Sequence, residues 1–83
     1  MTLLYFAWVR QKVGCSEETF SLPPGVKTVS DLVVHLKARS AGFEDAFSDL
    51  QRIRVAVNHN HTGFDAPLGD GDEVAFFPPV TGG

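Results

Sequence analysis

The run Leu3-Leu4-Tyr5-Phe6-Ala7-Trp8-Val9 is apolar on both faces of a strand, and that sets the first condition on the fold. Its aromatic and branched residues favour extended backbone. Alternation puts Leu3, Tyr5, Ala7 and Val9 on one side and Leu4, Phe6 and Trp8 on the other. Such a strand needs cover on two sides. The chain has 83 residues, and a domain of that size buries only about 60–65% of its unfolded surface in one core. One helix does not cover both faces of a sheet, so part of the second face is expected to await a partner.

The rest of the chain supplies a sheet and one principal helix. Arg10 to Gly14 reads as a short polar connection, with at most one helical turn ended by Gly14. Glu17 to Leu22 alternates, Glu18, Phe20 and Leu22 against Glu17, Thr19 and Ser21, and pairs with the first strand as a hairpin. Pro23-Pro24-Gly25 stops it. Thr28 is placed to cap a helix, with Asp31 in the first turn. Val29, Leu32, Val33 and Leu36 then fall on one helical face. The spacing predicts a helix over Val29 to Ser40, with Lys37 and Arg39 at its negative end and Gly42 as its stop. Phe43 to Leu50 suits a short second helix with Phe43, Phe47 and Leu50 inward. Ile53 to Asn58 is a strand with Ile53, Val55 and Val57 inward. Asn58 to Asn60 is a turn, His61 to Phe64 a short edge strand, Gly69-Asp70-Gly71-Asp72 a turn, and Glu73 to Phe77 the last strand.

A hairpin, a crossing helix and later strands that complete the sheet make the α+β β-grasp layout of ubiquitin, a mixed sheet of about five strands with one main helix packed across it. The last strand is expected beside the first, in parallel, at the middle of the sheet. Phe6 and Phe77 then share the outward face. The domain spans 1–77, and residues 78–83 form an extended tail.

That tail is Pro78-Pro79-Val80-Thr81-Gly82-Gly83. The prolines fix φ and favour an extended path. At about 3.3 Å per residue it reaches roughly 20 Å from the last strand. Gly-Gly has no side chains and wide backbone freedom, which suits a thin tail whose carboxylate enters a narrow site on another protein. The competing reading is an ordinary disordered terminus.

Composition narrows the function. The net charge is −3 with both signs interspersed, which argues against a nucleic-acid binder. Arg52 and Arg54 read as a solvated face. A single cysteine, Cys15, makes no internal disulfide and fits a reducing cytosol. No basic region precedes the apolar run at Leu3, which is too short to span a bilayer. The expectation is a soluble cytoplasmic protein. Cys15 lies near Glu17 and Glu18, which raise a thiol's pKa, and reads as incidental. His59 and His61 supply only two donors, too few for a metal site. His35 reads as a surface residue. Trp8 belongs either to the core or to a partner surface.

Particular stretches carry a resemblance. Leu4-Tyr5-Phe6-Ala7 with Val13-Gly14, Ala56-Val57-Asn58, Leu68-Gly69-Asp70-Gly71-Asp72-Glu73-Val74 and the block Phe76-Phe77-Pro78-Pro79-Val80-Thr81-Gly82-Gly83 resemble the small-subunit family of molybdopterin synthase, the MoaD-like sulfur carriers. The tail block is highly specific, the Gly-Asp-Gly-Asp turn weakly so, and the middle, Ser16 to Arg52, contributes spacing alone. One departure falls at the hairpin, where relatives tend to carry an apolar residue near His61.

The resemblance implies a carrier that is not catalytic alone. Gly83 is the site of adenylation and thiocarboxylate formation, with Gly82 beside it. Phe6, Phe77, Pro78, Pro79, Val80 and Thr81 bind partners. Those partners are the large catalytic subunit of molybdopterin synthase, a ubiquitin-activating-like adenylyltransferase and a sulfur donor protein. Two carriers on a dimer of large subunits is the implied assembly. ATP is used by the activating enzyme, and the carrier holds no stable cofactor or metal. The sulfur goes to a cyclic pyranopterin monophosphate, which becomes the molybdopterin dithiolene. Alternatives are a sulfur carrier for thiazole or cysteine formation, a ubiquitin-like modifier conjugated through Gly83, and an interaction domain with an inert tail.

Overall fold

A computed structural model describes residues 1–79. The elements are β1 (Thr2–Tyr5), α1 (Ala7–Val13), β2 (Glu17–Thr19), α2 (Val29–Lys37), α3 (Ala41–Ala46), a 3-10 turn at Leu50–Arg52, β3 (Arg54–Val57), β4 (Asn60–Thr62) and β5 (Glu73–Phe77). The five strands form one sheet in the order β2-β1-β5-β3-β4. β5 is central, parallel to β1 on one side and antiparallel to β3 on the other. The mixed sheet with a parallel first and last strand is the layout expected from the sequence.

Alternation sorts the central strands. Leu3, Tyr5, Val55, Val74 and Phe76 point inward and are buried. They meet Val29, Leu32, Val33 and Leu36 of α2 and Phe43, Ala46 and Phe47 from α3 and its end. Tyr5 stacks on Phe76 at 6.1 Å, and Phe47 meets Phe76 edge-on at 4.9 Å. Such pairs add about 0.5–1.5 kcal/mol beyond the area they bury. Each large apolar side chain here contributes about 1.5–3 kcal/mol by leaving water.

α2 starts where expected. The Thr28 hydroxyl accepts from Asp31 N at 3.2 Å, and the Asp31 carboxylate accepts from Thr28 N at 3.2 Å, a reciprocal capping box. The Asp31 carboxyl is held below its ordinary value, first by the backbone N–H of Lys27 and then by Thr28.

Several boundaries differ from expectation. β2 stops at Thr19 rather than Leu22, β3 runs Arg54–Val57 rather than Ile53 to Asn58, and β4 runs Asn60–Thr62 rather than His61 to Phe64, so Asn60 leaves the turn for the strand. Arg10 to Val13, read as a connection, is helix. Three further differences bear on the helices. The first strand ends at Tyr5 rather than running to Val9. Ala7 takes φ 53, a left-handed conformation costly for a residue with a Cβ, and turns the chain into α1. Val9 therefore reaches the core from a helix, and Trp8 does not line the outer sheet face. Gly14, at φ 90, ends α1, and its N–H donates to Arg10 O at 2.9 Å. Second, α2 ends at Lys37, and Gly42 is not its stop. Ser40 caps a new helix by accepting from Phe43 N, which puts Gly42 inside α3. Third, that helix runs Ala41–Ala46 instead of Phe43 to Leu50. Phe43 and Phe47 are buried as expected, while Leu50 is half-buried.

Turns close the far end. Asn58 and His59 both have positive φ, 52 and 71, the two-residue type I′ geometry that suits a twisted hairpin. Asn58 also ties this turn to the Gly69–Asp72 loop. Its amide donates to Asp72 Oδ1 at 3.0 Å and its carbonyl accepts from Glu73 N at 3.0 Å. Asp72 Oδ2 accepts from Gly69 N at 2.7 Å.

Candidate functional site

The outward face of the sheet is built by the other half of each alternation. Register places Leu4 of β1, Ala75 of β5, Ala56 of β3 and His61 of β4 in one cross-strand row. The next row pairs Phe77 with Arg54. Phe6 follows β1 in register with Phe77, and its N–H donates to Phe76 O at 3.1 Å, the last rung of the parallel ladder. Phe6 and Phe77 therefore lie side by side where β5 leaves the sheet, as the sequence suggests.

Phe6, next to the buried Tyr5 that ends β1, is 46% exposed, a large value for a phenylalanine. Phe77, Leu4 and Ala75 are half-buried. Ala56 and Ala75 are short, so the floor between the larger side chains is low. The His61 ring crosses it and meets Phe77 at 5.2 Å and 61°. Pro78 and Pro79 continue from Phe77 and are half-buried. Helices cover the inner face, and this outer face is an apolar strip with Arg54 and His61 at its margin.

The expected partner residues Phe6, Phe77, Pro78 and Pro79 thus converge at one end of the central strand. Val80, Thr81, Gly82 and Gly83 lie outside the described residues. Trp8 sits apart on α1, half-buried, with the Arg52 guanidinium 5.1 Å above its ring. Leu4, Ala75, Ala56 and His61 also belong to the face and were not singled out as binding residues. The alternation of Leu4 with Tyr5, and of Ala75 with Phe76, was the available signal; the cross-strand partner of His61 had none.

The other candidates have structural surroundings. Cys15 Sγ lies 4.0 Å from Glu18 Oε2, and burial followed by that carboxylate pushes the thiol up. Glu18 accepts from Tyr5 Oη at 2.8 Å and pairs with Arg39 at 3.0 Å. Burial, then the Glu18 hydrogen bond, pushes the Tyr5 phenol up as well. His59 Nε2 lies 3.4 Å from Glu73. His35 is exposed and stacks on Phe20 at 6.4 Å. Among the described residues there is no pocket, no group of three metal-ligating side chains, and no helix long and apolar enough to cross a membrane. The candidate site is a surface with Pro78 and Pro79 at its edge.

A mixed sheet centred on a terminal strand parallel to the first, with helices on one face, defines a ubiquitin-like β-grasp domain. Residues 3–83 match the ThiS family. The chain belongs to the ThiS family. It is 44% identical over 81 residues to the molybdopterin synthase sulfur carrier subunit of Escherichia coli, covering 98% of this chain and 96% of that protein. A putative molybdopterin converting factor, subunit 1, from Pyrococcus furiosus shares the structure with a TM-score of 0.75 and 37% identity, covering 95% of each chain. SAMP1 from Haloferax volcanii superposes with a TM-score of 0.76 at 27% identity, covering 100% of this chain and 98% of that one.

Proposed function

We propose that this chain is the sulfur-carrier subunit of a molybdopterin synthase, working through the carboxyl group of Gly83. The observation that carries the reading is the exit of the central strand. β5 ends at Phe77, beside Phe6, with Pro78-Pro79 at the border of an apolar face, and in sequence Val80-Thr81-Gly82-Gly83 follows directly. A partner that takes in this tail up to Pro78 also covers that face. The E. coli relative bears the name of a synthase sulfur carrier subunit, which supports the same reading.

The chemistry follows from the reactivity of a carboxylate, which is a poor electrophile. An activating enzyme of the ubiquitin-activating type supplies ATP. A Gly83 oxygen attacks the α-phosphate, pyrophosphate leaves, and the acyl-adenylate has AMP as a good leaving group. A sulfur donor protein delivers sulfide-level sulfur to the acyl carbon, AMP departs, and Gly83 ends in a thiocarboxylate. That soft anionic nucleophile then enters the large synthase subunit, where its sulfur bonds to a carbon of the cyclic pyranopterin monophosphate. Water cleaves the acyl–sulfur bond, leaving the sulfur on the precursor on the way to the dithiolene and returning Gly83 to a carboxylate. Acid-base work is left to the partners. Gly82 lets the tail thread a channel that does not admit a Cβ. The carrier works in the cytoplasm, two copies on a dimer of large subunits, with no stable cofactor of its own.

Intact-mass spectrometry after incubation with the activating enzyme, ATP and sulfur donor tests the chemistry. The expected product has one oxygen replaced by sulfur at Gly83. Attachment of the chain to protein lysines, with no thiocarboxylate formed, would instead identify a modifier.

A further inference from the structure

We propose that His61 is a specificity-determining residue of the docking face, and that the large synthase subunit receives it as the neutral imidazole, in an apolar recess rather than against a carboxylate. The inference rests on the carrier reading above and deepens it. His61 stands on the exposed edge strand β4, opposite Ala56. It leans over that short side chain to meet the Phe77 ring at 5.2 Å. Phe77 is the last residue of β5 before the tail, so a subunit that takes in the tail and covers Phe77 also covers His61.

Uncovered, the imidazole is exposed and either charge state is hydrated. Covered, it loses that water, which costs the charged form far more than the neutral one. The charged neighbours on this face are few. Arg54, on β3, is the register partner of Phe77, and its guanidinium donates to Gln51 O at 3.0 Å and Ile53 O at 3.2 Å, so it brings no negative charge to His61. Glu73, on β5, lies two residues before Ala75 along the strand, and His59 stands 3.4 Å from its carboxylate. Phe6 and Leu4 of the β1 segment and Ala75 of β5 bring no charge. Histidine is the side chain whose charge changes between about pH 5 and 8. Docking of this carrier therefore weakens on acidification, and the dependence belongs to His61.

The test measures the dissociation constant of the full-length carrier and the large subunit by calorimetry from pH 8 to 5.5, for wild type, His61→Leu, His61→Gln and His59→Gln. Groups on the large subunit are common to all four, so the difference between profiles isolates the carrier. The wild-type Kd is expected to rise roughly three- to tenfold over that range beyond the rise seen with His61→Leu. His61→Gln should parallel His61→Leu, and His59→Gln should retain the wild-type slope. Circular dichroism at each pH establishes that all variants stay folded. Equal slopes for wild type and His61→Leu would overturn the proposal. So would tighter wild-type binding at low pH, which would place a carboxylate against His61. Absence of binding by every variant at every pH would instead remove the carrier reading, and this inference with it.

Discussion

Phe77 stands where the central strand becomes the tail, and its surroundings differ from those of its neighbour Phe76. Phe76 is fully buried against Tyr5 and Phe47, whereas Phe77 is half-buried under His61. Truncating an interface anchor of this type typically costs about 2 kcal/mol or more of binding. Phe77→Ala is therefore expected to weaken the complex with the large subunit about 30-fold or more, with little change in melting temperature. Titration calorimetry and thermal melts on the same preparation check both halves; an unfolded variant, or one that binds like wild type, contradicts the assignment. Asp72 gives a second test. The Asn58 amide, then the Gly69 N–H, hold its carboxyl below the ordinary range. A depressed folded value contributes stability above the unfolded value, near pH 4, and loses it as pH falls through the folded value. Asp72→Asn should thus lower the melting temperature at pH 7, and the gap should close toward about pH 2. At these positions the sequence was partly legible. Alternation placed Phe6 and Phe77 on one face, and the Thr28–Asp31 spacing announced its cap. The His61–Phe77 contact was not legible, because it spans β3 and depends on how far a ring reaches over an alanine.

The elements were readable where a periodic pattern ended in a chemical stop. β5 runs Glu73–Phe77 as expected, bounded by a Gly-Asp turn and a proline. The apolar run Leu3 to Val9 had no glycine or proline to mark the break, so the change from strand to helix was hidden. The turn is made by Ala7 in a left-handed conformation, and Val9 with Val13, four apart, already fits a helical face. Gly42 was misread for a related reason. A glycine after a helical pattern suggests a stop, yet here it lets α3 approach α1. A Cβ at Gly42 would collide with the Lys12 carbonyl oxygen. Gly42→Ala should therefore force the two helices apart and cost on the order of 1–3 kcal/mol by overpacking, read from denaturant melts. A variant as stable as wild type would show that α1 and α3 separate freely. Loss of the α2 cap in Thr28→Ala should cost about 1 kcal/mol in the same assay.

In the molecule as a whole, the division of labour is spatial. One sheet face is closed by helices and makes the core. The other carries the apolar strip, with Pro78 and Pro79 at its border. This arrangement was legible because a hairpin, a crossing helix and a closing strand leave few ways to build one sheet. The chemistry proposed for the tail comes from its residue types and the resemblance they carry, and its last four residues lie outside the described ones. The proposed role of Gly83 leads to a decisive assay. Wild-type carrier and a carrier lacking Gly83 are each taken through activation and sulfur loading, then mixed with purified large subunit and the cyclic precursor, and molybdopterin is quantified. The expected result is turnover with wild type and none with the truncated chain, while the melting temperatures of the two agree. Even a 1 Å misplacement of a reacting group can cost about 100-fold in rate, and deletion of a residue withdraws the carboxyl by about 3.3 Å. Turnover at the wild-type rate without Gly83 would contradict the sulfur-carrier function.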